Sequence, residues 1–177
     1  MRTFVRQVDT KVTGWITGLP GALRPFFLFI TNLGHPVVPI TIGLVIVIVG
    51  VLRSDIPLML SGTSIWVVLG IGSFLKQLFR RARPLTDYAA KIWLDKLSFP
   101  SGHTTGSTIA YGMLGYYALT LLALPWSIIV FALCSLLIVG VGTSRVYLGA
   151  HFPSDVVAGW ILGAVGLLAA VLLIQPA

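Results

Sequence analysis

The sequence predicts an all-α membrane protein: a polytopic transmembrane helix bundle with five spans, preceded by an N-terminal amphipathic, interfacial segment. Three observations carry that prediction. Hydrophobic residues make up 56% of the 177 and charged residues only 10%, with a mean hydropathy of +0.97. In a soluble domain about a quarter of the residues are charged. Five segments are apolar over roughly 17–21 residues, against the roughly 20 needed to cross the hydrocarbon core. The ionisable residues between them fall into a few short clusters instead of being spread along the chain.

Taken in order, Met1–Gly18 places Arg2, Arg6, Asp9 and Lys11 among apolar residues and has no apolar core of signal-peptide length. It is expected to lie along the membrane surface, with Asp9 on its polar face. Leu23–Leu33 is apolar but too short to span, and is expected to be half-buried or interfacial. Residues 1–33 thus form an interfacial segment and 36–174 the bundle, in a single domain. The five spans are Pro36–Leu52, Ile56–Leu75, Thr104–Leu124, Pro125–Thr143 and Val156–Ile174. Arg53-Ser54-Asp55 and Leu124-Pro125 are tight turns. Leu85–Phe99 is the one sizeable loop, carrying Tyr88, Trp93, Lys91 and Lys96, with Asp87 and Asp95 solvated or paired with those lysines. Trp and Tyr favour the membrane–water interface. Gly102/Gly106 and Gly159/Gly163 have the small-xxx-small spacing that lets helices approach closely.

Three polar clusters stand out: Lys76 to Arg83-Pro84, Pro100-Ser101-Gly102-His103, and Ser144-Arg145 with His151 and Asp155. Span parity alone puts them on one face. The second span ends at Lys76, the loop returns at Pro100, and two crossings later the fourth span ends near Ser144. Ionisable groups at membrane depth are costly and mark functional sites. The net charge of +7 does not point to nucleic acid, because the cations are not on a polar surface with interleaved aromatics. It fits anionic lipid head groups or a phosphate substrate. Cys134 is the only cysteine, which excludes a disulfide framework and a thiolate metal site.

Each cluster has a chemical reading. Lys76 and Arg83 are two helical turns apart and share a face if the helix continues, with Arg80 on nearly the same side. Such a set suits a multiply charged anion, since Arg offers a rigid fork and Lys a point charge. Pro100–His103 resembles a helix start with open N–H groups, a ready anion site, and His103 there can donate a proton to a leaving oxygen. Asp155, four residues after His151, can hold its Nδ1–H, fixing the tautomer and making Nε2 a better base or nucleophile. Zinc would want a third ligand beside the two histidines, and the surrounding cations repel a dication, so no metal or other cofactor is expected. His35 is expected to be an interfacial or capping residue.

These residues resemble the three-part signature of the type 2 phosphatidic acid phosphatase superfamily, K-x6-RP, PSGH and SR-x5-H-x3-D. The chain is similar to its small bacterial membrane branch, the phosphatidylglycerophosphatase B and undecaprenyl pyrophosphate phosphatase type. The resemblance covers Lys76 to Asp155. It implies that His151 is the nucleophile that forms a phosphohistidine, that Asp155 orients it, and that His103 is the general acid. It also implies that Lys76, Arg83, Ser101, Gly102 and Arg145 bind the phosphoryl oxygens. The expected activity is metal-independent hydrolysis of a lipid phosphate or pyrophosphate, such as a polyprenyl pyrophosphate, phosphatidylglycerol phosphate or phosphatidic acid. The expected partners are that substrate and membrane lipids. A phosphotransferase, or a non-catalytic lipid-phosphate binding or transport protein, would be the alternatives.

Two features depart from the family pattern. Members usually have six spans; five are read here, and the one expected to be absent is the first. The cations also concentrate on the active face, which the positive-inside rule would put in the cytoplasm. The resemblance implies a multi-pass cell-membrane protein with its site on the extracytoplasmic face. The latter expectation is adopted, because several of those cations are needed for chemistry.

Overall fold

The computed structural model describes residues 2–92 and 96–174, so Trp93 and Asp95 of the expected loop lie outside the described residues. Among the described residues eight α-helices follow one another: α1 (Arg2–Thr17), α2 (Arg24–Leu33), α3 (Val37–Arg53), α4 (Ile56–Phe79), α5 (Asp87–Ala90), α6 (Gly102–Leu121), α7 (Trp126–Tyr147) and α8 (Pro153–Ile174). Among the described residues four helical segments are long and apolar enough to cross a membrane: Gly21–Arg53, Ile56–Phe79, Trp126–Tyr147 and Pro153–Ile174. This is a multi-pass membrane bundle. Leu44, Val67, Leu136 and Val165 are exposed on its outer surface, where an apolar side chain suits lipid.

The helix α6 is the centre of the bundle, packing on α3, α4, α7 and α8. It is less apolar than its neighbours because its surface meets helices. Thr104, Thr105, Ser107 and Thr108 are all buried. Thr105 and Thr108 satisfy their hydroxyls within the helix, donating to the carbonyls of Ser101 (3.0 Å) and Thr104 (2.7 Å). One helical turn further in, Ile109 and Met113 are sealed against Ile65, Val68 and Ala170. Polar residues therefore sit near the site and apolar ones below it.

Glycines set the spacing between α6 and α8. A Cβ on Gly159 would lie 2.9 Å from both the Ser101 carbonyl oxygen and Thr104 Cβ. A Cβ on Gly163 would lie 2.9 Å from the Thr105 carbonyl oxygen. These are backbone contacts that cannot yield as a side-chain tip can. The close approach lets Ser101 N donate to the Asp155 carbonyl oxygen at 3.0 Å, tying the start of α6 to the start of α8.

The end of α4 differs from the sequence expectation. The helix α4 stops at Phe79, with Arg80 in the left-handed region at φ 47°. Lys76 and Arg83 therefore do not share a helix face, and Arg80 points away, its Nε donating to the Gln77 carbonyl at 3.1 Å. Ahead of the bundle, residues 2–33 hold α1 and α2. The helix α1 packs on α7 and α8, while α2 packs on α7 and its last carbonyl, Leu33, accepts from the Tyr111 hydroxyl at 2.7 Å.

Gly163→Val is expected to destabilise the protein by about 1–3 kcal/mol, since overpacking at backbone contact forces the helices apart. Thermal unfolding in detergent, compared with Gly70→Val where a Cβ meets nothing within 4 Å, measures it.

Candidate active site

All three clusters line one cavity of about 730 Å³, whose walls include Lys76, Arg83, Gly102, His103, Arg145 and His151. The convergence expected from counting crossings is thus present, although Arg83 reaches the cavity from the chain after α4 and not from the helix itself. Ser98 holds that chain. Its N–H donates to the Arg81 carbonyl at 2.8 Å and its hydroxyl to the Ala82 carbonyl at 3.1 Å.

The spacing of the third cluster has a local cause. At the end of α7 the chain folds back, and the Arg145 carbonyl accepts from both Ala150 N (2.9 Å) and His151 N (3.2 Å). Gly149 makes the reversal at φ +71°. A Cβ there would lie 2.7 Å from Thr86 Cγ2, so glycine is needed both for its conformation and for space. Thr86 also donates to the Gly149 carbonyl at 2.8 Å. Arg145 and His151 are thereby brought to one place from six residues apart.

His151 is 1% exposed. Arg83 Nη1 lies 2.9 Å from its Nε2 and donates to the Ala150 carbonyl at 2.9 Å. A guanidinium carries only donors, so Nε2 presents its lone pair and the neutral ring is protonated at Nδ1. Asp155 Oδ2 stands 3.6 Å from Nδ1. That is longer than a hydrogen bond, but close enough for charge to act. Burial, and then the charges of Arg145, Arg83 and Lys76, push the imidazole well below its usual range, with the Ser98 carbonyl opposing them. His151 is therefore neutral at physiological pH, the form that can attack.

The other site residues are placed as follows. Arg145 is 2% exposed and its Nη1 donates to Thr31 Oγ1 of α2 at 2.7 Å. Its guanidinium lies 5.8 Å from the Tyr88 ring centre. A Cβ on Gly102 would lie 3.6 Å from Lys76 Nζ, so the lysine faces the first turn of α6. Ser101 caps α6. Its Oγ accepts from Thr104 N (3.5 Å) and Thr104 Oγ1 (2.9 Å), and it is fully buried. Asp155 is also fully buried, and its Oδ2 accepts from Phe152 N at 2.9 Å. Among the described residues no three His, Cys, Asp or Glu side chains are grouped to hold a metal ion.

Four residues near the site were not legible as functional. His35, expected to be a cap, does accept from Val37 N at 3.4 Å. It also lines the cavity, its ring centre 6.0 Å from that of His103. Thr31 is the hydroxyl that holds Arg145. Arg81 bridges Asp9 and Asp155 at 2.7 and 2.8 Å. Asp9, expected on a solvated polar face, is 2% exposed because α1 turns it inward onto Arg81 and Ser154. The only sequence hint was its place as a lone carboxylate in a basic amphipathic segment.

Comparison with known proteins places the chain in a family. The family model described as the PAP2 superfamily matches residues 57–177. The chain is 35% identical over 97 residues to phosphatidylglycerophosphatase B of Bacillus subtilis, covering 52% of this chain and 46% of that protein. It is 36% identical over 111 residues to decaprenylphosphoryl-5-phosphoribose phosphatase of Mycobacterium tuberculosis, covering 56% and 55%. The chain thus spans about half the length of the curated relatives it matches. Among solved structures, a transmembrane PAP2 type phosphatidylglycerolphosphate phosphatase from Bacillus subtilis superposes with a TM-score of 0.76 at 25% identity, over 96% of this chain and 85% of that one. Aquifex aeolicus LpxE shares the fold, with a TM-score of 0.69 at 21% identity over 93% and 94%. With the family model spanning all three clusters and the clusters gathered on one cavity, the chain belongs to the PAP2 superfamily.

Proposed function

We propose that this chain is an integral membrane lipid phosphatase that hydrolyses a phosphomonoester or pyrophosphate of a lipid through a phosphohistidine on His151, without a metal. The observation that carries this reading is the composition of the cavity that the three clusters line. His151, His103 and the cations Lys76, Arg83 and Arg145 share it with the apolar wall of Pro36, Ile40, Leu69 and Gly72. A phosphate end and a lipid end are thus accommodated together. The relatives' names support it: phosphatidylglycerophosphatase B, decaprenylphosphoryl-5-phosphoribose phosphatase and lipid A 1-phosphatase all denote phosphatases of lipids, with different lipids.

The chemistry follows from the tautomer. A phosphate entering the cavity takes the Arg83 N–H groups onto its oxygens, which bares the Nε2 lone pair. Nε2 bonds phosphorus as the bond from phosphorus to the lipid oxygen breaks. His103 gives its proton to that leaving oxygen. The ring keeps its Nδ1 proton, becomes positive, and faces the Asp155 carboxylate. Lys76, Arg83, Arg145 and the open N–H groups at Gly102 hold the charge on the phosphoryl oxygens, the electrostatic contribution that most often dominates. Water then attacks phosphorus, its proton passes to His103, the P–N bond breaks, and inorganic phosphate leaves. Ser101 contributes by fixing the first turn of α6.

In this reading α6 is a fifth span, shielded from lipid by its four neighbours, which is why it needs less apolarity. Five crossings put the N-terminus and all three clusters on one face. That face is the extracytoplasmic side of the cell membrane, with α1 lying in the interface.

Purified protein is expected to release inorganic phosphate from at least one of a panel of lipid phosphates and pyrophosphates in excess EDTA. Absence of release from the whole panel, or activity that disappears with chelator and returns with a divalent metal, contradicts the reading. Arg83→Lys is expected to slow turnover about thirtyfold, because loss of a charge-assisted contact costs about 2 kcal/mol. A steady-state rate within about threefold of the parent would place Arg83 outside the reacting shell. Single cysteines at Thr3 and Asp87, in a Cys134→Ser background, are expected to react with a membrane-impermeant thiol reagent on intact cells. Protection of both until the cells are opened would put the site in the cytoplasm, and labelling of only one would require another crossing.

A further inference from the structure

We propose that Asp9 and Arg81 position Asp155 for catalysis, so that the N-terminal helix α1 belongs to the catalytic apparatus and is more than a membrane-surface attachment. The inference rests on the proposed roles of His151 and Asp155.

The geometry is a closed set of contacts joining three distant parts of the chain. Arg81 Nη1 donates to Asp155 Oδ1 at 2.8 Å and to Ser154 Oγ at 2.6 Å. Its Nη2 donates to Asp9 Oδ2 at 2.7 Å. Asp9 also accepts from Ser154 N at 2.9 Å and from Ser154 Oγ at 2.7 Å. The Phe152 ring lies against the Arg81 guanidinium, 4.3 Å from centre to carbon. The two oxygens of Asp155 therefore have separate tasks. Oδ1 is held by Arg81, while Oδ2 is fixed by Phe152 N and left facing His151 Nδ1 at 3.6 Å.

Charge explains why a second buried carboxylate is present. An Arg81–Asp155 pair alone would be neutral, and its pull on the imidazole would largely cancel. Adding Asp9 leaves one net negative charge across the three groups. That charge favours the Nδ1–H tautomer and the positive ring that forms when Nε2 bonds phosphorus. Burying a carboxylate is costly unless partners replace its lost hydration. Asp9 takes three hydrogen bonds that do so. The alternative is that Asp9 only anchors α1 and caps the start of α8 through Ser154 N.

The test uses the whole 177-residue chain in detergent with Asp9→Asn, Asp9→Glu, Arg81→Lys and the control Gln7→Ala, an exposed neighbour on α1. Two quantities are read: the 15N shifts of the His151 ring without substrate, and kcat against KM on a lipid phosphate. Asp9→Asn keeps the shape and removes the charge. It is expected to change the ring 15N shifts as Nδ1–H loses polarisation toward Asp155, while Arg83 Nη1 still faces Nε2 and holds the tautomer. It should also lower kcat about tenfold, the scale on which outer partners act, with KM within about twofold. Asp9→Glu should recover part of kcat, and Gln7→Ala should match the parent. A lower melting temperature with unchanged ring shifts and unchanged kcat per folded molecule would show an anchor only and overturn the proposal. If Asp9→Asn does not fold, Arg81→Lys carries the same readouts, and unchanged shifts there overturn it equally. A parent protein inactive on every lipid phosphate would count against the proposed function, while the ring shifts would still decide this one.

Discussion

Holding an imidazole, a carboxylate and several cations at the end of an apolar bundle is the constraint on which the rest of the structure depends. Each charge must be partnered, because an unpaired ion in such a place costs more than the fold can supply. The partners come from every part of the chain. Arg83 is held by the Ala150 carbonyl, Arg145 by Thr31 of α2, and Arg81 by Asp9 of α1 and Asp155 of α8. The helices are arranged so that these partners arrive together. The glycines of α8 that admit the backbone of α6 bring Ser101 within bonding distance of the Asp155 carbonyl. Packing and chemistry are therefore one problem in this protein.

The same constraint explains the division of labour along α6. Its first turns carry Thr and Ser that close their own hydrogen bonds, and its middle carries Ile109 and Met113 in a sealed core. A helix shielded on four sides does not need an apolar exterior. It can afford the polarity that a site at its N-terminus demands. Its start then offers open N–H groups opposite Lys76, and the cavity above continues toward apolar walls, which suits an amphiphilic substrate better than a soluble phosphate.

Much of this was legible in the sequence. Hydropathy identified an all-helical membrane bundle, and three of the expected spans, Ile56–Leu75, Pro125–Thr143 and Val156–Ile174, fall within apolar helices long enough to cross. Parity brought the clusters together without any contact information. The illegible part is the second layer of contacts. Asp9 meets Ser154 across 145 residues and Arg145 meets Thr31 across 114, and no local pattern encodes such pairings. Arg80 misled because α4 ends in a left-handed residue with neither glycine nor proline at that point, so the helix looked able to continue toward Arg83. His35 was expected to be interfacial or capping, and its Nδ1 does accept from Val37 N in the first turn of α3, but the turn between α2 and α3 also delivers it to the cavity wall. Local rules identified its backbone role and could not see its neighbours.

The central claim is that His151 Nε2 bonds phosphorus. It is tested most directly by mixing the protein with a lipid phosphate labelled in the phosphoryl group, quenching within a turnover, and isolating the labelled peptide. The account predicts an acid-labile, base-stable phosphoryl group on His151, absent from His151→Gln. Turnover at the normal rate with no label on the protein, or label on another residue, would contradict it.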